Sequence, residues 1–301
     1  MYKRQVYDRY KEIGGLLTYG IPEFKLEKKV IKRRRKILEE LGVKFVMEFD
    51  VDAKNLHKIE SKSDAIFLGL GVYESIKSNI EGDEKDGVVE ALPYLIKNTE
   101  YLMDIDDPLK MDFSDQKVVV LGGGDTAMDC VRTALRQKAT SVTCVYRRDR
   151  ENMPGSIKEV NHAMEEGVKF IFNAQPMRLV GNGSIKQLEI IKTKLGNIDS
   201  TGRRKPILID GSEELLDIDK LVIAFGYSSS PQPFMEKEKI NLEEDGLVSL
   251  TNQKYKYQTS NPKYFAGGDM VIGSSLAVHA IAHGRDAAKE ILGYISDKTG
   301  K

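Results

Sequence analysis

V-V-V-L-G-G-G-D-T-A, residues 118–127, sets the fold of this chain. Val118, Val119, Val120 and Leu121 form an unbroken apolar run, the pattern of a parallel strand buried on both faces. Gly122 lets the chain turn tightly out of that strand. Gly124 lets the backbone approach a pyrophosphate, and Ala127 lets the next helix pack close to the sheet. The helix start offers free N–H groups and the positive end of a dipole to phosphates. Asp125 and Thr126 fall in its first turn, where such side chains readily cap free amides. The helix is predicted to run to about residue 138, and the next strand over residues 141–146. At that strand's end a NAD site carries Asp or Glu for the ribose 2′-hydroxyl, whereas an Arg accommodates a 2′-phosphate. Here the strand ends in Arg147-Arg148. A hydrogen bond to a charged group is worth roughly 1.5–3 kcal/mol. One or two of them favour NADPH over NADH by roughly tenfold to several hundredfold or more. Two arginines alone read as a solvated strand end; the glycine turn upstream gives them a nucleotide to hold.

Working outward, composition excludes several classes. The chain has 301 residues, enough for two domains. Its 46 basic and 46 acidic residues balance, so no global charge draws it to nucleic acid or anionic membrane. The basic run 28–36 carries an apolar face at helical spacing and reads as a solvated helix face. No apolar run approaches the roughly 20 residues of a membrane span. The first residues lack the apolar core of a signal peptide, so a cytoplasmic location is expected. Cys130 and Cys144 form no C-x-x-C, which argues against a redox dithiol and a cysteine-ligated cluster. They read as two small buried hydrophobes. His279 and His283 share a helix face without the Glu of a zinc-protease helix, so no metal site is expected.

The pattern predicts α/β architecture throughout. Helices are expected over residues 25–41, 88–103, 156–166 and 275–292. Strands are expected over residues 43–49, 64–71, 168–172, 184–195, 205–209, 220–225 and 247–249. An acidic segment, 104–115, carries Pro108 and reads as a linker.

The outer segments carry two more nucleotide-type features. Asp8 stands at a strand end and is followed by Gly14-Gly15, the order that comes after the phosphate loop of a dinucleotide fold. Asp8 would bond an adenosine ribose. No G-x-G-x-x-G precedes it, so the fold is read as starting at its second strand. Near the other end, A-G-G-D (residues 266–269) puts Asp269 beside glycines, where a carboxylate can accept a ribitol hydroxyl. Alone, G-G-D reads equally as a turn.

With these segments in view, the chain resembles the small (β) subunit family of bacterial glutamate synthase. The matches are I-G-G-L-L-T-Y-G-I-P-E-F-K-L (13–26), A-L-P-Y-L-I (91–96), V-V-V-L-G-G-G-D-T-A-M-D-C-V-R-T-A-L-R (118–136), V-Y-R-R-D-R-E-N-M-P-G-S (145–156) and T-S-N-P-K-Y-F-A-G-G-D (259–269). They span nearly the whole chain. The resemblance implies two dinucleotide-binding, Rossmann-like domains, with an NADPH domain (113–228) inserted into an FAD domain (1–112 and 229–301). It implies that Asp8, Gly15, Leu17, Gly71, Gly268 and Asp269 surround FAD. It implies that Gly122, Gly124, Asp125, Thr126, Arg147 and Arg148 surround NADPH.

The family carries an N-terminal iron–sulfur domain and a first FAD strand with its glycine motif. Neither is seen in this sequence, so the FAD domain is expected to be truncated and the cluster ligands absent. The implied activity is electron input: hydride from NADPH to FAD, then electrons through iron–sulfur clusters to the large subunit for glutamate synthesis. No catalytic side chain is implied. Related readings are a ferredoxin:NADP oxidoreductase or dihydropyrimidine dehydrogenase type of reductase subunit, and a flavin-free nucleotide-binding remnant.

Overall fold

The computed structural model describes residues 3–105, 111–198, 202, 204–250 and 254–300. Pro108, expected in a linker, lies outside the described residues. The chain forms two compact units. The first takes Met1–Ile13, Lys32–Ile76 and Tyr227–Lys301; the second takes Gly14–Ile31 and Lys77–Gly226.

The second unit is built on the opening stretch. Lys117–Leu121 is the central strand of a five-stranded sheet in the order Val88–Glu90, Lys220–Ile223, Lys117–Leu121, Ser141–Tyr146, Lys169–Phe172. Every pairing in it is parallel. Period-2 alternation sends Val118 and Val120 to one face, into a core with Ala127, Met128, Val131 and Tyr94. Val119 and Leu121 face the other way, toward Leu188, Ile190 and Ile218. All four side chains are at most 3% exposed, each contributing roughly 1.5–3 kcal/mol on burial. Burial on both faces is why the sequence shows no polar alternation here. Helices Ala91–Leu102, Asp125–Arg136 and Ile157–Glu165 cover the first face.

The other face is covered by a four-stranded antiparallel sheet. Gln187–Ile198 pairs with Arg204–Leu208, Glu214–Asp217 and Ala174–Val180. The strands expected at 184–195 and 205–209 are both present, and they pair with each other. The strands Ala174–Val180 and Glu214–Asp217 were not legible in it.

The first unit holds two parallel pairs, Arg4–Tyr7 with Val43–Val46 and Ile66–Leu68 with Tyr264–Ala266. Its core gathers Leu56, Leu68, Phe234, Ile240, Tyr264 and Met270. The helix expected to begin near residue 275 is Ala277–Thr299, preceded by one short turn, Asp269–Ile272. The strand expected at 247–249 is reduced to a single bridge between Leu242 and Val248.

Candidate nucleotide sites

The glycine turn is tight on two sides and open on the third. Gly122 has φ +140°, and a Cβ there would lie 2.3 Å from the Ala224 carbonyl oxygen. Only glycine fits. A Cβ on Gly123 would lie 2.5 Å from the Tyr146 ring. Gly124 is the N-cap of helix Asp125–Arg136, with no side chain capping it, and a Cβ there would meet nothing within 4 Å. The turn is therefore approachable at Gly124, where the amides of the helix start lie.

Asp125 departs from expectation. It does not cap its own helix; its Oδ1 accepts the Ser156 N–H at 2.9 Å. Thr126 follows it in the first turn, half-buried. The arginine pair also divides. Arg147 is exposed, and its carbonyl accepts the Thr193 hydroxyl at 2.9 Å. Arg148 is 6% exposed, with Nε donating to the Arg204 carbonyl at 2.6 Å and Nη1 to the Tyr146 hydroxyl at 3.4 Å. The chain has left strand Ser141–Tyr146 here, in a bend that leaves Arg147 exposed and Arg148 buried.

Helix Asp125–Arg136 leaves the turn along a charged seam. The Lys25 ammonium lies 2.8 Å from the Asp129 carboxylate. Arg132 pairs with Glu159 at 2.7 Å and Glu166 at 2.8 Å, and Arg136 with Glu166 at 2.7 Å. Both guanidinium groups stack over the Phe24 ring, at 4.7 and 3.8 Å. Burial pushes the Asp129 carboxyl up to about 6. The hydrogen-bonded Arg136, with Arg132, holds Glu166 down at about 2. Sequence reading missed Lys25, Phe24 and Glu166 as partners of this helix.

Gly15 and Leu17 belong to the second unit. Gly15 is the N-cap of the single turn Leu16–Tyr19, with φ 50°. Buried Lys28 closes that turn, donating to the carbonyls of Leu17 (3.1 Å) and Ile21 (2.5 Å). Burial lowers its ammonium to about 8.

In the first unit, the half-buried Asp8 carboxylate accepts the Tyr10 N–H at 3.0 Å, and burial raises its pKa. The Arg9 guanidinium stacks over Tyr73 at 4.6 Å. Gly71 and Gly268 have φ +71° and +74°, conformations that favour glycine. The buried Gly268 N–H donates to His283 Nδ1 at 3.1 Å, and Asp269 follows with its pKa raised by burial. Small residues beside a carboxylate, at the end of a parallel strand, suit a polyhydroxyl and its phosphate. Cys130 and Cys144 are both buried, which pushes the Cys144 thiol up to about 12 and Cys130 well above its usual value. Neither is a reactive thiol. Among the described residues no helix is long and apolar enough to cross a membrane.

The family model described as pyridine nucleotide-disulphide oxidoreductase matches residues 5–284. The glutamate synthase [NADPH] small chain of Halomonas elongata is 48% identical over 97% of this chain and 63% of its own length. The putative glutamate synthase [NADPH] small chain of Cereibacter sphaeroides is 42% identical, over 97% of this chain and 71% of its own. The chain thus spans about two thirds of the length of these relatives. Among solved structures, Mycobacterium tuberculosis FprA in complex with NADPH superposes with TM-score 0.77 at 16% identity, covering 99% of this chain and 78% of that one. That likeness is one of fold.

Proposed function

The chain belongs to the pyridine nucleotide-disulphide oxidoreductase family and, within it, groups with the glutamate synthase small chains; from that premise we propose that it is an NADPH-dependent flavoprotein oxidoreductase serving as electron-input subunit of a glutamate synthase. The observation that carries the reading is the glycine turn. It is closed by Ala224 and Tyr146, open at Gly124, and followed one strand later by exposed Arg147.

In this reading the second unit takes NADPH. Gly122 and Gly124 shape the turn, the start of helix Asp125–Arg136 receives the pyrophosphate near Thr126, and Arg147 meets the 2′-phosphate. Buried Arg148 braces the strand end from within. The first unit takes FAD at Asp8, Gly71, Gly268 and Asp269; the resemblance alone assigns Gly15 and Leu17 to FAD. The cofactors supply the redox chemistry, a hydride transfer from nicotinamide to flavin. The protein supplies position, an effect that can be worth roughly 7–11 kcal/mol. No side chain of this chain needs to act as acid, base or nucleophile.

Two deeply buried, high-pKa thiols disfavour dithiol exchange as the electron exit. Onward transfer through iron–sulfur clusters to a large subunit fits better, with the cluster ligands outside this sequence. Unpaired cysteines also suit the cytoplasm. The test is to purify the protein, record its flavin absorbance, and measure NADPH oxidation with an artificial acceptor. A flavin spectrum with NADPH-specific turnover is the expected result. A colourless protein that leaves NADPH unoxidised would overturn the reading. A colourless protein that still binds NADPH would support the nucleotide-binding remnant instead.

A further inference from the structure

The loop 147–156 carries three arginines, and the structure fixes both of its ends. At the start, Thr193 donates to the Arg147 carbonyl at 2.9 Å and Arg148 donates to the Arg204 carbonyl at 2.6 Å. Across the middle, the Tyr146 hydroxyl donates to the Asn152 carbonyl at 2.7 Å, and Asp149 accepts the Asn152 N–H at 3.0 Å. At the far end the Gly155 N–H donates to the Gly123 carbonyl at 2.8 Å, and the Ser156 N–H to Asp125 Oδ1 at 2.9 Å. A Cβ on Gly155 would lie 2.9 Å from the Gly123 oxygen, so the approach tolerates no side chain. The loop lies directly on the glycine turn.

We propose that Asp125 is a positioning residue, which latches the arginine loop onto the glycine turn and thereby sets the preference for the 2′-phosphorylated nucleotide. The argument starts from an electrostatic conflict. A carboxylate at the start of a helix that receives a pyrophosphate repels the ligand. The conflict is reduced where the carboxylate's charge is engaged by donors. Here Oδ1 accepts the amide of Ser156, which is itself the N-cap of helix Ile157–Glu165, with its hydroxyl accepting the Glu159 N–H at 3.3 Å. One anionic acceptor so joins the first turn of one helix to the N-cap of another, where both dipoles favour negative charge. Releasing that end lets the loop pivot about its held start, which carries Arg147, and so changes how Arg147 and Arg150 face Gly124. NADH lacks the phosphate that Arg147 meets, so loosening the latch weakens NADPH selectively.

The inference rests on the second unit taking NADPH, and the test separates the two. Asp125→Ala removes the acceptor, Asp125→Asn keeps an oxygen in place, and Gly155→Ala strains the same contact from the other side. Binding of NADPH and NADH is measured by titration, and loop opening by the rate of tryptic cleavage within residues 147–158. In Asp125→Ala and Gly155→Ala, NADPH affinity is expected to fall about tenfold while NADH changes less than about twofold, the loss of roughly one charged hydrogen bond. Tryptic cleavage of the loop accelerates in both. Asp125→Asn retains most of the preference and of the protection. Equal weakening of both nucleotides with unchanged cleavage would mean that Asp125 touches the shared part of the cofactor, and would overturn the latch. If the unaltered protein bound neither nucleotide, the reading of the second unit would fail. The cleavage arm would still decide the latch: unchanged cleavage in Asp125→Ala overturns it, and faster cleavage upholds it.

Discussion

Glu166→Gln should destabilise the protein at neutral pH and much less in acid. Glu166 sits between Arg132 and Arg136, hydrogen-bonded to both. The Arg136 and Arg132 guanidinium groups hold its carboxyl well below the usual 4.5, at about 2, and each tenfold change in acidity corresponds to roughly 1.4 kcal/mol. That gives an upper bound near 3.5 kcal/mol. The side chain is 28% exposed, so solvent screening brings the expected loss to roughly 1–2 kcal/mol. The sign follows from linkage: a depressed carboxyl pKa stabilises above the unfolded value and loses that effect as pH falls toward the folded one. The gap between wild type and Glu166→Gln should be full above about pH 5 and shrink by roughly half or more at pH 3.

Asp129, in the same seam, titrates with the opposite sign. Its pKa rises from 3.8 to about 6, so its contribution favours the fold in acid and is lost as pH climbs from about 4 to 6. Asp129→Asn therefore serves as a control whose pH slope runs the other way. The chain has no Trp, so urea unfolding is followed by far-ultraviolet circular dichroism. A Glu166→Gln deficit that stayed constant from pH 3 to pH 8 would refute the electrostatic account and leave only lost packing.

Three further outcomes follow from the geometry. Arg147→Ala should weaken NADPH by roughly tenfold or more and leave NADH nearly unchanged, read by titration calorimetry; equal loss would show that Arg147 does not meet the 2′-phosphate. Gly122→Ala should cost about 2 kcal/mol or more in unfolding free energy, because its Cβ would collide with the Ala224 carbonyl at a positive φ; wild-type stability would refute the stated geometry. Cys130 and Cys144 should resist a thiol-labelling reagent in the native protein and react on denaturation; rapid native labelling of either would contradict their burial.

Much of the second unit was legible because one strand is buried on both faces. Such a strand writes an unbroken apolar word, and its glycine turn has few alternative uses. The strand Ala174–Val180 was not legible: it contains Pro176 at a register shift and alternates poorly, and proline reads as a strand breaker. Glu214–Asp217 is four residues bracketed by acids. At Arg147-Arg148 the sequence offered two identical side chains, and only the bend after strand Ser141–Tyr146 and a partner 56 residues away separate the exposed from the buried one. Asp125 looked like a cap for its own helix because local rules see only neighbours, whereas its partner lies 31 residues away. The same blindness hid Phe24 and Lys25 from the helix more than 100 residues downstream.

The path of the chain carries a practical consequence. It passes between the two units after Ile13, Ile31, Ile76 and Gly226. A fragment cut to residues 77–226 would look self-contained on paper, yet it would leave behind the ring on which Arg132 and Arg136 lie and the ammonium that faces Asp129. Asp129 would then be a buried acid without its cation, at the heart of the helix that starts at the glycine turn. Anyone wishing to isolate the second unit must carry residues 14–31 with it, by a designed linker or as a separate peptide.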